Sequence, residues 1–171
     1  VTQGVSNFSA GMWSLDGTQV IGQTDLFGVR SAQLHSLSTD LYRIFLSEAA
    51  RQDFLDIGEG NFPQAEDEDA PFEPRRYEVD GRRNARLGER LTTGLARLLL
   101  MEPLADYSGL LLATTDDGAQ VDIEVLDLRS GARTPIQTVE APGLQALSYV
   151  PALNLIDFKL DDSVLSVPVF D

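Results

Sequence analysis

Short apolar segments separated by turn residues fill residues 107–171, and this pattern constrains the fold more than any other feature of the chain. Val121, Ile123 and Val125 alternate with acidic residues, as in a strand that buries one face. An Asp-Gly pair ends at Gly118, just before them, and glycine supplies the positive φ that a tight hairpin turn needs. Further strands follow at intervals of about 8 to 12 residues. The pattern predicts a mainly β chain, folded as an antiparallel β-sandwich or a jelly-roll-like domain.

The rest of the chain contains further strand signals. Residues 12–21 predict a second hairpin with an Asp-Gly turn, in which Trp13 is expected to be an aromatic core residue. Pro135 lacks a backbone N–H group, which places the strand around it at the edge of a sheet. Within residues 153–160 the apolar alternation changes phase after Leu155, as a β-bulge would produce.

Two segments carry helical periodicity. Residues 32–56 place leucines at helical spacing but also contain a run rich in strand formers, so the choice between helix and strand stays open there. In residues 84–101, Leu87, Leu91 and Leu95 recur every four residues, which favours an amphipathic helix. We therefore predict one or two short helices, at roughly 32–56 and 84–101.

The domain organisation follows from local composition. Residues 1–11 are rich in Ser, Gly and Asn and predict a flexible N-terminal arm. Residues 12–171 are expected to form a single β-rich domain, because a chain of this length is most simply one domain. A loop at residues 58–74 is predicted from its glycines and prolines, and it contains four consecutive acidic residues from Glu66 to Asp69.

The chain is strongly acidic, with 27 Asp and Glu against 13 Lys and Arg and a formal net charge of −14. Such a surface repels itself at low ionic strength, whereas at about 1 M salt the Debye length falls to about 3 Å and the repulsion is screened. This composition is typical of proteins from salt-loving organisms and their viruses, and also of GC-rich genomes, in which arginine replaces lysine. With either origin, the net negative charge disfavours binding of nucleic acid by the overall surface.

Few residues could support catalysis. The chain has no cysteine, which excludes disulfides and thiolate chemistry, and its single histidine, His35, excludes a multi-histidine metal site. No Gly-x-Ser-x-Gly motif accompanies that histidine, and no glycine-rich phosphate-binding loop follows a strand. The acidic pairs that begin at Asp116 and Asp161 are explained by turns as well as by a bound cation. We therefore predict a non-enzymatic protein without a cofactor or a metal, and without a membrane span.

Residues 75–97 invert the charge of the chain. They contain seven arginines and three acidic residues, a local charge of +4. The arginines could pair with the acidic loop, with a neighbouring subunit, or with nucleic acid phosphate, and no aromatic interleaving supports the last. Because arginine pairs carboxylates bidentately and is enriched at interfaces, we predict a subunit interface here. Its residues would be Arg75, Arg76, Arg82, Arg83, Arg86 and Arg90.

These features favour a structural or assembly protein over an enzyme. The most concrete form is a virion subunit (capsid, vertex or tail) of a virus infecting a halophilic or GC-rich host, located in the cytoplasm during assembly and later in the virion. Its partners would be copies of itself or other virion proteins. The main alternative is a monomeric extracellular β-sandwich module that recognises carbohydrate or protein through loop aromatics such as Phe62, Phe72 or Tyr149. A carboxylate-dependent hydrolase is the third hypothesis.

The arginine interface can be tested by charge reversal. If residues 75–97 mediate assembly, changing Arg82 and Arg83 together to Glu should abolish higher-order species, because the pairing charges would then repel. Light scattering would measure the mass, and circular dichroism would check that the fold is intact. Assembly of the folded double variant at the same mass as the parent would place the contact elsewhere.

Overall fold

The fold was analysed in a computed structural model. It describes residues 8–14, 17–24, 40–56, 87–93, 95–104 and 108–169. The chain separates into two compact units, Val1–Leu95 and Ala96–Asp171, where a single domain was expected. The described residues are mainly antiparallel strands, which confirms the predicted mainly β class.

The described residues of the first unit form a four-stranded antiparallel sheet in the order β1-β2-β3-β4 and one helix. Its elements are β1 (Phe8–Trp13), β2 (Gln19–Thr24), β3 (Asp40–Phe45), α1 (Glu48–Asp56) and β4 (Gly88–Arg90). The predicted hairpin is confirmed in β1 and β2, where Gly17 has a φ of 68°. Ser14 closes this hairpin, since its N–H group donates to the Gln19 carbonyl oxygen at 3.0 Å.

A buried arginine joins α1 to the sheet of the first unit. Phe54 of α1 and Phe45 of β3 lie with ring centroids 5.5 Å apart. The Arg43 guanidinium carbon lies 4.8 Å from the centroid of Phe54 and 5.1 Å from that of Phe45, within the range of cation–π attraction. Arg43 also donates through Nε to Glu89 of β4 at 2.8 Å, and Arg51 of α1 donates to the other Glu89 oxygen at 3.2 Å. These contacts compensate for burying Arg43, which is only 6% exposed.

The second unit contains two antiparallel sheets, one of four strands and one of three. The four-stranded sheet comprises β5 (Arg97–Pro103), β6 (Gly109–Thr115), β7 (Gln120–Asp127) and β8 (Arg133–Glu140). The three-stranded sheet comprises β9 (Ala146–Val150), β10 (Leu155–Lys159) and β11 (Val164–Pro168), with β10 in the centre. Consecutive strands are neighbours in both sheets, a meander without the crossovers of a jelly roll.

The core of the second unit lies between these two sheets, as in a β-sandwich. Leu111, Val121 and Ile123 of the first sheet cluster with Ile156 and Phe158 of the second. They belong to alternating positions of their strands, which is why one face of each strand enters the core. Strand β6 is buried at all seven positions, so both of its faces are covered.

The hairpin between β6 and β7 has the predicted turn, and Gly118 has a φ of 80°. The backbone N–H groups of Gln120 and Ala119 donate to the Asp117 carboxylate at 3.0 and 2.8 Å and hold its pKa below the ordinary value. Thr115 accepts from the Gly118 N–H group at 2.9 Å. The acidic residue therefore serves the turn, without need of a cation.

The predicted helix at 84–101 is wrong. Residues 88–90 form β4 and residues 97–103 form β5, and the described residues between them are not helical. Leu87, Leu91 and Leu95 are buried nonetheless. Leu87 and Leu91 flank β4 four positions apart and so share a face of the extended chain, whereas Leu95 lies in the segment between β4 and β5. The spacing therefore does not discriminate between extended chain and helix.

The segment at 32–56 contains both a strand and a helix. Residues 40–45 form β3 and residues 48–56 form α1, while residues 32–39 lie outside the described part. The Ser47 side chain accepts the N–H group of Ala50 at 3.1 Å and caps the helix. The predicted helix therefore occupies only the C-terminal part of that range.

Two boundaries differ from the sequence-based expectation. Residues 8–11, assigned to a flexible arm, belong to β1, in which Phe8 and Ser9 pair with β2, and residues 1–7 lie outside the described residues. No β-bulge occurs at Leu155, which is the first residue of a regular β10. The phase of the pattern changes there because Leu153 belongs to a 3₁₀-helix before the strand and is 66% exposed. The acidic loop at 58–74 also lies outside the described residues.

Trp13 is not a core residue, since 63% of it is exposed. It pairs with Val20, which pairs with Ile44, and this row lies on the face of the sheet opposite Arg43 and α1. It lies on the edge strand β1, and none of the elements described for the first unit covers the indole.

The exposure of Trp13 can be measured directly, because it is the only tryptophan of the chain. We expect its fluorescence emission to resemble that of free tryptophan in water and to be quenched efficiently by iodide. Unfolding in urea should therefore shift the emission only slightly. A blue-shifted emission that iodide does not quench, in protein verified as monomeric, would contradict the exposed position.

The Glu89 contacts predict a pH dependence. Burial raises the pKa of Glu89, but the hydrogen bonds and charges of Arg43 and Arg51 outweigh it and hold the pKa below the ordinary value of 4.5. A carboxyl whose pKa is lowered by folding stabilises the folded state above that value, and this contribution is lost as the pH falls through the folded pKa. The free energy of unfolding, measured in urea, should fall more steeply below pH 4.5 in the parent than in Glu89→Gln.

Glu48→Gln is the matched control. Glu48 also pairs with Arg51, but it is exposed and its carboxylate oxygen lies 3.7 Å from the guanidinium nitrogen. The free energy of unfolding of Glu48→Gln should depend on pH as that of the parent does. Equal pH dependence of the parent and Glu89→Gln would show that Glu89 contributes nothing through its ionisation.

Candidate interaction surface

The side of β11 that faces away from β10, which we call the β11 edge, is the candidate interaction surface. Leu160 donates its N–H group to the Ser163 carbonyl oxygen at 2.9 Å, and Val169 donates to that of Asn154 at 3.0 Å. The five residue pairs between these two bonds keep one register without a shift. The direction of every backbone group in β11 can therefore be derived from its position.

Hydrogen-bonded and non-hydrogen-bonded pairs alternate along an antiparallel ladder. Because the pairs at both ends are hydrogen-bonded, Leu165 and Val167 direct their N–H and C=O groups towards β10. Val164, Ser166 and Pro168 direct theirs outward. No described strand pairs with this side, and all three residues are exposed.

The side chains of the β11 edge are apolar or neutral. Val164 is 66% exposed and Leu165 is 38% exposed, although Leu165 lies on the core face of the sheet beside Phe158. Ser166 lies on the outer face and donates its hydroxyl to the Asp157 carboxylate at 2.6 Å. The strand itself contains no charged residue.

Pro168 closes one end of the edge. It has no N–H group, and its outward carbonyl oxygen already accepts a hydrogen bond from the Gln137 side chain at 2.9 Å. The backbone groups that remain for a partner strand are therefore the N–H and C=O of Val164 and Ser166.

The other sheet edges of the second unit differ. Strand β5 carries Arg97 and Glu102, and its register shifts after Leu98. Strand β8 contains Pro135 and a register shift, and its Arg133 pairs with the nearly buried Glu124 of β7. Charges, prolines and bulges are the features by which natural edge strands avoid pairing with other chains. Strand β9 lies against β5. The β11 edge is thus the least protected of the edges in this unit.

The predicted arginine interface falls largely outside the described residues. Arg75, Arg76, Arg82, Arg83 and Arg86 are not described, and the interface stays a prediction. Arg90 forms an ion pair with Asp40, which is 1% exposed, and donates to the Thr92 carbonyl oxygen at 2.9 Å. This arginine is engaged within the first unit.

The loop aromatics of the alternative hypothesis are also only partly described. Phe62 and Phe72 lie outside the described residues. Tyr149 is half-buried against the core of the second unit, and its hydroxyl donates to the Asn154 side chain at 3.2 Å. Burial raises the pKa of Tyr149 above its ordinary value. This tyrosine supports the core and is not a loop residue that presents its ring to a ligand.

Sequence reasoning identified β11 as a strand but did not identify its open edge. The only available signal was the absence of charge from Val164–Pro168 in a chain with 23% charged residues. The direction of the backbone groups follows from the register with β10, which the sequence does not show.

Comparison with known proteins shows similarity of fold. No protein-family model matches the chain, and no curated protein matches it. Among solved structures, the crystal structure of the tricorn protease matches with a TM-score of 0.54 and 12% identity, over 98% of this chain and 16% of that one. A puromycin-hydrolyzing peptidase of Mycobacterium tuberculosis matches with a TM-score of 0.49 and 12% identity, over 94% of this chain and 20% of that one.

The likeness to the tricorn protease, at 12% identity, shows a shared fold and no more. The chain spans about one sixth of the tricorn protease chain. None of the helices in the described part of the chain is long and apolar enough to cross a membrane.

Proposed function

We propose that this protein is a non-enzymatic structural protein that works by associating with copies of itself. The observation that carries the proposal is the β11 edge, which combines outward backbone groups at Val164 and Ser166 with exposed apolar side chains. Unpaired N–H and C=O groups of an edge strand are a template for another strand. Main-chain pairing of this kind is an established mode of association between polypeptides.

The charge of the chain makes such association depend on salt. Each copy carries a formal charge of −14, so two copies repel at low ionic strength. The Debye length falls from about 10 Å at 0.1 M salt to about 3 Å at 1 M. Backbone pairing acts over hydrogen-bond distances and keeps its strength under those conditions, whereas repulsion between distant carboxylates is screened.

A more specific form of this proposal is a virion subunit from a salt-rich setting. Its support is the excess of 27 acidic over 13 basic residues together with the mainly β fold, a class suited to repeated contacts between copies. In that form the arginines of residues 75–97 would provide a second contact between subunits.

A binding module that acts as a monomer is the second candidate, and the exposure of Trp13 favours it. Tryptophan is enriched among residues that dominate binding energy, and this one is 63% exposed on an edge strand. A monomeric state under all conditions would favour this candidate over the structural one.

The proposal predicts a salt-dependent mass. Light scattering on the purified chain should show a monomer at about 0.1 M salt and a defined multimer at about 3 M, with a mass that rises with protein concentration. Sedimentation velocity on the same samples distinguishes a defined multimer from precipitation. A strict monomer at both salt concentrations and at the highest protein concentration tested would refute self-association.

A further inference from the structure

Helix α1 is attached to the sheet of the first unit by a small buried face and by polar contacts that share one carboxylate. We infer that α1 is a latch, a helix that detaches from the sheet as one piece when Glu89 becomes protonated. The helix lies in the long connection between β3 and β4, which are neighbours in the sheet. Its docking attaches that connection to the sheet, and its release does not require the two strands to separate. The inference concerns the first unit alone and does not depend on the proposed self-association.

The helix is too short to be stable on its own. It has nine residues, whereas isolated helices of fewer than about 12–15 residues are marginal in water. Of these nine residues, Ala50 and Phe54 are buried. Because the helical conformation depends on this docked face, detachment and unfolding of α1 are a single local event. Local events of this kind have a smaller free energy than global unfolding.

Glu89 of β4 positions both arginines that join the helix to the sheet. Its Oε2 atom accepts from Arg43 of β3 through Nε at 2.8 Å and also through Nη2. Its Oε1 atom accepts from Arg51 of α1 at 3.2 Å. The bond to Arg51 joins sheet and helix directly, and the bonds to Arg43 hold the guanidinium where it contacts the Phe54 ring of the helix. One carboxylate therefore supports both polar links.

Protonation of Glu89 removes the charge on which these links depend. Among the described residues, the charged groups that act on Glu89 are Arg43 and Arg51. The next residue of β4, Arg90, lies on the opposite face of the sheet and pairs with Asp40. A neutral Glu89 would leave Arg43, which is only 6% exposed, buried without a counter-ion, and this is strongly destabilising. Detachment of α1 relieves it, because water then reaches the guanidinium.

The detached form is favoured at low pH. In the docked form the two arginines outweigh burial and hold the pKa of Glu89 below 4.5. In the detached form Arg51 has left and Arg43 is hydrated, so the pKa returns towards its ordinary value. The detached form therefore binds the proton more tightly, and its population rises as the pH falls below 4.5. Glu48 also pairs with Arg51, at 3.7 Å, but it is exposed and stays with the helix in both forms.

Hydrogen exchange of the full chain, measured by mass spectrometry of its peptides, detects this opening. The peptide that covers residues 48–56 should lose protection as the pH falls from about 6 to about 3.5, after correction for the intrinsic exchange rate, while the peptide that covers β2 keeps its protection. Glu89→Gln should lower the protection of residues 48–56 about tenfold or more at a pH of about 6, because hydrogen bonds to a charged group are lost. It should also remove most of the pH dependence.

Glu124→Gln is the matched control, because Glu124 is a nearly buried carboxylate that pairs with Arg133 in the second unit. It should leave the protection of residues 48–56 as in the parent. Arg51→Met removes the link from the helix side and leaves the arginine–carboxylate pair within the sheet intact. It should lower the protection of residues 48–56 even if Glu89→Gln does not fold, and circular dichroism checks the fold of each variant.

The exchange data decide the inference. Selective loss of protection in residues 48–56, at low pH and in the folded variants of Glu89 and Arg51, supports the latch. Parallel protection of residues 48–56 and β2 under all conditions, including parallel loss at low pH, would show that α1 opens only with the whole sheet and would refute it. Weak protection of residues 48–56 that neither pH nor Glu89→Gln changes would remove the role of Glu89 and refute the inference as well.

Discussion

An edge strand leaves half of its backbone groups without a partner, and this constraint governs what the second unit can do. A strand inside a sheet uses its N–H and C=O groups on both sides. Among the described strands β11 pairs with β10 alone, through the groups of alternate residues, and the outward carbonyl oxygen of Pro168 accepts from the Gln137 side chain. The remaining groups bind water in the monomer or another strand in a complex. In β5 and β8, charged side chains, a proline and irregular register discourage a second strand. In β11 only Pro168 has that effect, and it acts at the end of the strand.

The free energies of hydrogen bonding and of association indicate how strong a contact such an edge supports. Four backbone hydrogen bonds contribute about 0.5–1.5 kcal/mol each, because each replaces a bond to water. Association itself costs about 4 kcal/mol or more in lost freedom of motion. Hydrogen bonds of this number would therefore support at most weak association, and the exposed apolar side chains and the screening of charge would decide whether it is populated.

The sequence predicted strands where turns were explicit and failed where spacing was ambiguous. Both Asp-Gly hairpins are present, because positive φ at Gly17 and Gly118 is a local requirement. The leucines before β5 gave a false helix, since Leu87 and Leu91 flank the short strand β4, and positions four apart share a face in extended chain too. Arg43 illustrates the opposite failure. Its burial between two phenylalanine rings depends on Phe54 and Glu89, which are distant in the chain. No local sequence pattern therefore predicts that this arginine is buried.

The candidate surface shows the same division between local and tertiary information. Val164–Pro168 could be recognised as a strand from its own residues, and its lack of charge was visible in the sequence. Which of its residues point outward depends on pairing with β10, whose register is set by the tight turn between Leu160 and Ser163. A shift of that turn by one residue would exchange the inward and outward groups and would place Leu165 outside the core face. The turn after β10 thus determines which backbone groups the edge presents.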